Sequence, residues 1–307
     1  MDAGSADSTA RMYAQAQLQR YRIEDATVGV RVFGQGPAVV LIHGYPVHGY
    51  TWRKLLPTLA QAFTCYVVDL PGLGDSDWST DTDFSFTAQA RRLGLLFARL
   101  NLKDYAIIAH DTGATLARLV ALAQPDQVKK LALINTEMPQ HRPPWIPFYQ
   151  WCARLPGASR VFQTLLRSPS FLRSSLGLGQ FYTDPALFRE AHNIAPYIDP
   201  LTTSAKRIQG MLGYLLGIQW PVVDGLQSQH GQLSAQVLLL WGEDDKTFPV
   251  ELAEAMTQQF RADCVLIRIS RASLLPHEEQ PAKVLGYLMP FLLAVPAAAP
   301  GGPADAS

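Results

Sequence analysis

The stretch that decides the fold is IIAHDTGATLA, Ile107 to Ala117. A continuous apolar run ends at Asp111 and helically spaced apolar residues follow it, so the stretch predicts a buried strand that turns directly into a helix. Small residues, Ala109 and Gly113, stand two positions before and two after Asp111. Small flanks permit a strained turn that aims one side chain outward. The pattern favours Asp111 as a reactive carboxylate, and the competing interpretation is a simple helix N-cap.

Strand-like and helix-like segments alternate on both sides of this turn. The runs TVGVRVF, AVVLIHG, CYVVDLPG and VKKLALIN are further predicted strands, and the alternation resumes at QVLLLWGEDD. Such βαβ alternation predicts an α/β fold, with a mostly parallel central sheet and helices on both faces. Residues 137–230 are rich in Pro and aromatic residues without a clear strand, and predict an inserted helical cap. The core is then 20–136 and 231–295, between flexible termini at 1–19 and 296–307.

Composition excludes several classes of protein. Of the 307 residues, 48% are apolar and 17% charged, which is enough to build a sizeable core. Lys plus Arg and Asp plus Glu both number 26, so charge gives no reason to expect nucleic acid or an anionic membrane as partner. The three cysteines lack metal-ligand spacing, and we expect no metal and no cofactor. The N-terminus has no apolar run typical of a signal peptide, which favours a cytoplasmic location. The oligomeric state stays open.

Two more motifs accompany the turn at Asp111. LIHGYPVHG follows one predicted strand and VVDLPGLGDSD follows the next. With HDTG, they resemble the α/β-hydrolase fold, specifically the Asp-nucleophile branch of epoxide hydrolases and haloalkane dehalogenases, over roughly residues 20–295. The resemblance implies that Asp111 attacks a substrate carbon and forms an ester, and that the backbone N–H groups of Tyr45 and Thr112 form an oxyanion hole. It also implies that His43 packs this loop at the substrate pocket.

The resemblance favours an epoxide over a halide as the reacting group. Tyr45 and Thr112 stand where haloalkane dehalogenases carry Asn or Trp donors, and Thr112 and Thr115 stand where fluoroacetate dehalogenases carry arginines. Epoxide hydrolases donate a proton from cap tyrosines. Tyr214 has the family's spacing from the acid, and Tyr149 is a candidate first partner, although both also fit as core residues. A small apolar organic substrate is indicated by cap aromatics that core packing explains equally well, among them Trp145, Trp151 and Trp220.

The catalytic acid and base of the family lie near the C-terminus. Asp245, three residues after Gly242, is the expected acid. The base should lie in ISRASLLPHEEQP, Ile269 to Pro281, yet every alignment of that loop puts Leu274 at the histidine position. Leucine has no lone pair with which to activate water, so the resemblance implies an ester that forms but is hydrolysed slowly.

Several alternatives stay open for this departure. His277 could serve as a substitute base through a remodelled loop. The chain could be an engineered trap variant of an active hydrolase, or could catalyse a reaction that has no ester intermediate. It could be a catalytically inactive ligand-binding module. The alternative within the family is a haloalkane dehalogenase-like hydrolase.

Overall fold

A twisted, mostly parallel sheet forms the centre of the molecule. The computed structural model describes residues 3–184, 187, 191–261 and 264–294. The strands are β1 (Leu18–Ile23), β2 (Ala26–Phe33), β3 (Ala38–Ile42), β4 (Thr64–Asp69), β5 (Asp77–Trp78), β6 (Tyr105–His110), β7 (Val128–Ile134), β8 (Gln236–Gly242) and β9 (Cys264–Ile269). Their order is β1-β2-β4-β3-β6-β7-β8-β9, and β5 pairs with β2 outside this path.

The pairing directions confirm the predicted α/β architecture. Strands β3, β4 and β6 to β9 run parallel, whereas β2 is antiparallel to β1, β4 and β5. Every residue of β6 is buried, as is nearly every residue of β7 and β8. A parallel strand is covered by helices on both faces, which is why these segments read as continuous apolar runs.

The helices divide into those that flank the sheet and those inserted between β7 and β8. The flanking helices are α1 (Ala3–Gln15), α2 (Leu56–Leu59), α3 (Phe86–Arg99), α4 (Thr112–Ala123), α11 (Val250–Thr257), α12 (Pro276–Glu279) and α13 (Pro281–Leu293). The inserted helices are α5 (Trp145–Ala153), α6 (Ala158–Leu166), α7 (Pro169–Arg173), α8 (Ala191–Thr203), α9 (Ala205–Leu216) and α10 (Trp220–Gln229). They fall within the predicted cap, residues 137–230. Among the described residues, no helix is both long and apolar enough to cross a membrane.

The N-terminal segment differs from expectation. Residues 1–19, predicted from sequence to be flexible, include helix α1, which packs on the core through Tyr13. The Tyr13 ring is buried, stacks on Phe33 at 6.1 Å and meets Tyr50 edge-on at 5.5 Å. The predicted flexible C-terminus, residues 296–307, lies outside the described residues.

A buried polar cluster joins the inserted helices to the core. The carboxylate of Glu278, on α12, accepts hydrogen bonds from Arg53 at 3.1 Å and Thr51 at 2.8 Å on the core side. From the cap side it accepts hydrogen bonds from the hydroxyls of Tyr197 at 2.6 Å and Tyr182 at 3.2 Å. We call these five residues the Glu278 cluster. It fixes the cap over the carboxyl ends of the strands, where the site described below lies.

Candidate active site

Asp111 occupies a strained turn between β6 and α4. Its φ of 50° lies in the left-handed region, which costs a residue other than glycine about 1–3 kcal/mol. The turn also lies tight against the end of β3, because a Cβ at Gly113 would overlap the carbonyl oxygen of His43 and one at Gly44 would overlap the Asp111 side chain. The glycines in the HG and DTG motifs therefore allow the two loops to touch, and the predicted elbow is the geometry that forms.

The Asp111 carboxylate is held by backbone N–H groups. It is buried, and its Oδ2 accepts a hydrogen bond from the N–H of Tyr45 at 2.7 Å, leaving Oδ1 for other contacts. Burial raises the pKa of Asp111 and the Glu137 carboxylate raises it further, while the N–H groups of Tyr45 and Thr112 act in the opposite direction. Its pKa is therefore well above that of an ordinary aspartate, and alkaline conditions favour the charged form.

Asp111 lies at the base of a largely apolar cavity of about 120 Å³. Few of its lining side chains are polar, and most of the wall comes from the inserted segment, residues 137–230, both its helices and the stretch 175–181 between them. The lining residues are Tyr45, Pro46, Asp111, Thr112, Glu137, Trp145, Ile146, Tyr149, Phe162, Leu166, Phe171, Ser175, Leu176, Gly177, Leu178, Gln180, Phe181, Met211, Leu215, Ile218, Thr247 and Leu274.

The two candidate tyrosines are placed differently. Tyr149 lines the cavity, and its hydroxyl donates a hydrogen bond to the carbonyl oxygen of Leu176. Tyr214 is fully buried outside the lining, and its hydroxyl donates to Thr112 Oγ1 at 3.0 Å. Its ring stacks on Tyr45, with the centroids 5.8 Å apart. Tyr214 thus supports the loop that carries the Tyr45 N–H, and only Tyr149 of the pair faces the cavity.

Three of the four residues predicted to contact substrate lie elsewhere. Trp145 lines the cavity, whereas the Trp151 side chain is 58% exposed and Trp220 donates from Nε1 to Gln150 Oε1 at 3.1 Å. His43 is fully buried and joins two loops, because its Nδ1 is 2.8 Å from the Gly44 oxygen and its Nε2 accepts from the Leu70 N–H at 2.9 Å. Both ring nitrogens of His43 are occupied by backbone, so this imidazole has none left for a substrate.

Asp245 is buried in a network without a histidine. Its Oδ2 accepts from Asn135 Nδ2 at 2.7 Å and its Oδ1 from the Thr247 N–H at 2.7 Å. Burial raises the pKa of Asp245 to about 6, although these hydrogen bonds oppose the shift. Leu274 is buried and contributes an alkyl side chain to the cavity lining, so the position predicted for the family's histidine lines the same cavity as Asp111.

His277 points into the core. It is fully buried between Trp52, whose ring centroid is 4.7 Å away, and His110 at 4.8 Å. The Thr51 hydroxyl donates to Glu278, so it accepts from the Nε2–H of His277 at 2.7 Å. Burial lowers the pKa of His277 to about 3. Since the cavity lining does not include it, His277 has no path to a bound substrate in this arrangement.

Glu137 is a site residue that the sequence reasoning missed. It follows β7 by three residues, is buried, and lines the cavity together with Asp111. Because β6 and β7 are adjacent parallel strands, side chains that follow their carboxyl ends lie close together. The sequence therefore did contain a signal for Glu137, namely a carboxylate three residues after the end of a strand that neighbours β6.

The comparisons with known proteins agree with this architecture. Mouse (Mus musculus) epoxide hydrolase 4 is 24% identical over 88% of this chain and 78% of its own length. A haloalkane dehalogenase from Mesorhizobium japonicum is 32% identical over 48% of this chain and 45% of its own. The unliganded structure of the epoxide hydrolase CorEH superposes with a TM-score of 0.75 at 21% identity, covering 90% of this chain and 98% of that one.

The sheet order, the elbow and the inserted helices together define the architecture of an α/β hydrolase. The family model of the alpha/beta hydrolase fold matches residues 37–268, and the chain belongs to that family.

Proposed function

We propose that the protein opens an epoxide, or a similarly electrophilic carbon, by attack of Asp111 to give an ester. The observation that carries this proposal is the position of Asp111, a strained and buried carboxylate at the base of an apolar cavity with one oxygen held by the Tyr45 N–H. A serine-type elbow would need a base beside the nucleophile, whereas an aspartate attacks as its own anion.

The two carboxylate oxygens take different roles in this reaction. Oδ1 attacks the epoxide carbon, the carbon–oxygen bond of the ring breaks, and the Tyr149 hydroxyl gives a proton to the released oxygen. Oδ2 then becomes the carbonyl oxygen of the ester, already held by the N–H of Tyr45, and the N–H of Thr112 also hydrogen-bonds to this carboxylate. When water adds to that ester, negative charge develops on Oδ2, and donors fixed in advance stabilise it.

We expect hydrolysis of the ester to be the step in which this chain departs from the family that its motifs resemble. Leu274 supplies no proton acceptor, and the His277 imidazole lies outside the cavity lining. Loss of a general base typically slows a step by about 10²–10⁴-fold. The second step is therefore slow, or is carried by another group.

The cavity limits the size of the substrate. An engineered apolar cavity of roughly 150 Å³ in another protein holds one benzene ring. The present cavity of about 120 Å³ therefore favours a short-chain or single-ring substrate. Its apolar wall favours compounds without charge.

A product assay tests this function. The protein is incubated with 1,2-epoxyhexane and, separately, with 1-bromohexane, and diol and bromide are quantified alongside an Asp111→Asn variant. We expect diol from the epoxide at or above one equivalent per protein, little bromide, and neither product from the variant. Steady bromide release without diol would replace the proposal by the dehalogenase alternative, and equal diol from the variant would contradict it.

A further inference from the structure

Glu137 is a buried carboxylate with one oxygen in use and one free. Its side chain is 1% exposed, and Oε2 accepts from the Thr115 hydroxyl at 2.7 Å and contacts the Thr136 hydroxyl at 3.2 Å. Among the described residues, Oε1 has no hydrogen-bond partner. Buried carboxylate oxygens are almost always paired, so a free one beside a cavity marks a place for a ligand or a water molecule.

Arg118 supplies a positive charge behind this carboxylate. It is fully buried, and its Nη2 donates to the hydroxyls of Thr115 and Thr136 and to the Glu137 carbonyl oxygen, at 2.8–3.0 Å. The two threonines pass this polarisation to Oε2. Burial lowers the pKa of Arg118 to about 10, so the guanidinium still carries its charge at neutral pH.

Glu137 is also tied to the nucleophile. The Thr136 hydroxyl that contacts Glu137 donates to the carbonyl oxygen of Asp111 at 2.9 Å, and both carboxylates line the same cavity. We propose that Glu137 is a catalytic residue, the general base that takes a proton from water when the Asp111 ester is hydrolysed. This role rests on the proposed function, because it requires the ester to form.

The charges of the pair fit the timing of that step. Burial raises the pKa of Glu137, and the two carboxylates repel each other when both are charged. Esterification removes the charge on Asp111, so the pKa of Glu137 falls and the carboxylate is available when a base is needed. Arg118 remains as its counter-ion throughout.

The protons and bonds balance over the step. Water gives a proton to Glu137 Oε1 and its oxygen bonds to Cγ of the Asp111 ester. The bond between Cγ and the ester oxygen that is attached to the substrate then breaks. The departing alkoxide takes the proton from Glu137. Asp111 is left as a carboxylic acid, whose proton restores the Tyr149 phenol.

The decay of the isolated ester tests the proposal. The wild type, Glu137→Gln and, as a matched control, Glu251→Gln on exposed helix surface are labelled with 1,2-epoxyhexane, freed of reagent, and followed by intact mass. We expect the adduct of Glu137→Gln to persist about 10²–10⁴-fold longer than that of the wild type and of the control. A Glu137→Ala variant should regain decay in proportion to added formate, which a purely structural role would not produce.

The outcomes separate this role from the proposed function. If the Asp111 adduct of Glu137→Gln decays at the same rate as that of the wild type, Glu137 is not the base. Asp111 then remains the nucleophile. If the wild type and the variants carry no adduct at Asp111 and form no diol, the nucleophile itself is refuted, and the base role fails with it.

Discussion

At the scale of single residues, position 274 bears on the second half of the proposed reaction, because a histidine there could act as a base. Leu274 lines the cavity together with Asp111. Asp245 is buried in a hydrogen-bond network with Asn135 and Thr247. A histidine at 274 would give Asp245 the imidazole partner that the predicted catalytic acid requires. The raised pKa of Asp245, about 6, reflects a carboxylate buried without a cation.

Leu274→His is expected to accelerate hydrolysis of the ester beyond the wild-type rate. A general base contributes about 10²–10⁴-fold, so the lifetime of the adduct with 1,2-epoxyhexane should shorten by that order. Leu274→Gln, which is polar but not basic, is the matched control and should leave the lifetime near that of the wild type. An equal change in both variants would show that polarity at 274, rather than proton transfer, controls the step.

The sequence predicted Asp111, Asp245 and Leu274 because each belongs to a motif with fixed local spacing; Asp111 and Leu274 line the cavity, and the role of Asp245 as the acid stays a prediction. Sequence reasoning missed Glu137, and it left His277 open as a base. Both depend on which side chains meet across the fold: β6 and β7 bring Glu137 to the cavity, whereas the stacking of Trp52 turns His277 away from it. Spacing along the chain does not specify these contacts between residues that are distant in sequence.

At the scale of elements, α1 shows how tertiary packing overrides a weak local signal. The segment, within residues 1–19, was predicted to be flexible. Its buried aromatic ring, Tyr13, packs against Phe33 of β2 and Tyr50 of the short 3-10 helix Gly49–Lys54, and Ala10 and Met12 pack beside it on the core. The strands and the cap region, by contrast, were predictable because their apolar patterns are long and repeated.

Tyr13→Ala should detach this helix from the core. Truncating a buried aromatic costs about 3–5 kcal/mol, and we expect a loss of this order in the free energy of unfolding measured with urea. Tyr13→Phe keeps the ring and loses only a long contact with Arg31 at 3.5 Å, so it should stay close to the wild type. Hydrogen exchange of residues 3–15 should rise in the Ala variant alone. A stability within about 0.5 kcal/mol of the wild type would show that α1 does not depend on this ring.

At the scale of the whole molecule, the Glu278 cluster holds the cap on the core. Burial alone would raise the pKa of Glu278, but the adjacent Arg53 guanidinium lowers it to about 2. A depressed carboxylate pKa stabilises the folded state above its unfolded value of 4.5, and this contribution is lost as the pH falls from there through about 2. Acid should therefore loosen the joint between cap and core.

Glu278→Gln should destabilise the protein by about 3–5 kcal/mol, because Arg53 is then left buried without a counter-charge. The same substitution at Glu254, whose ion pair with Arg268 is exposed, should cost at most about 1 kcal/mol. Urea unfolding at pH 7 measures both, and the difference between wild type and Glu278→Gln should narrow below about pH 4. Equal losses in the two variants would refute a special role for the cluster.

The central claim is that Asp111 is the nucleophile. The most direct measurement is peptide mapping by mass spectrometry after the protein has reacted with 1,2-epoxyhexane at pH 8, because the pKa of Asp111 is raised and alkaline conditions favour its anion. The account predicts one added molecule of epoxide, carried as an ester on Asp111 and missing from the Asp111→Asn variant. If Asp111 stays unmodified in both the wild type and Glu137→Gln, in which the ester should persist, while diol still forms, the claim is contradicted.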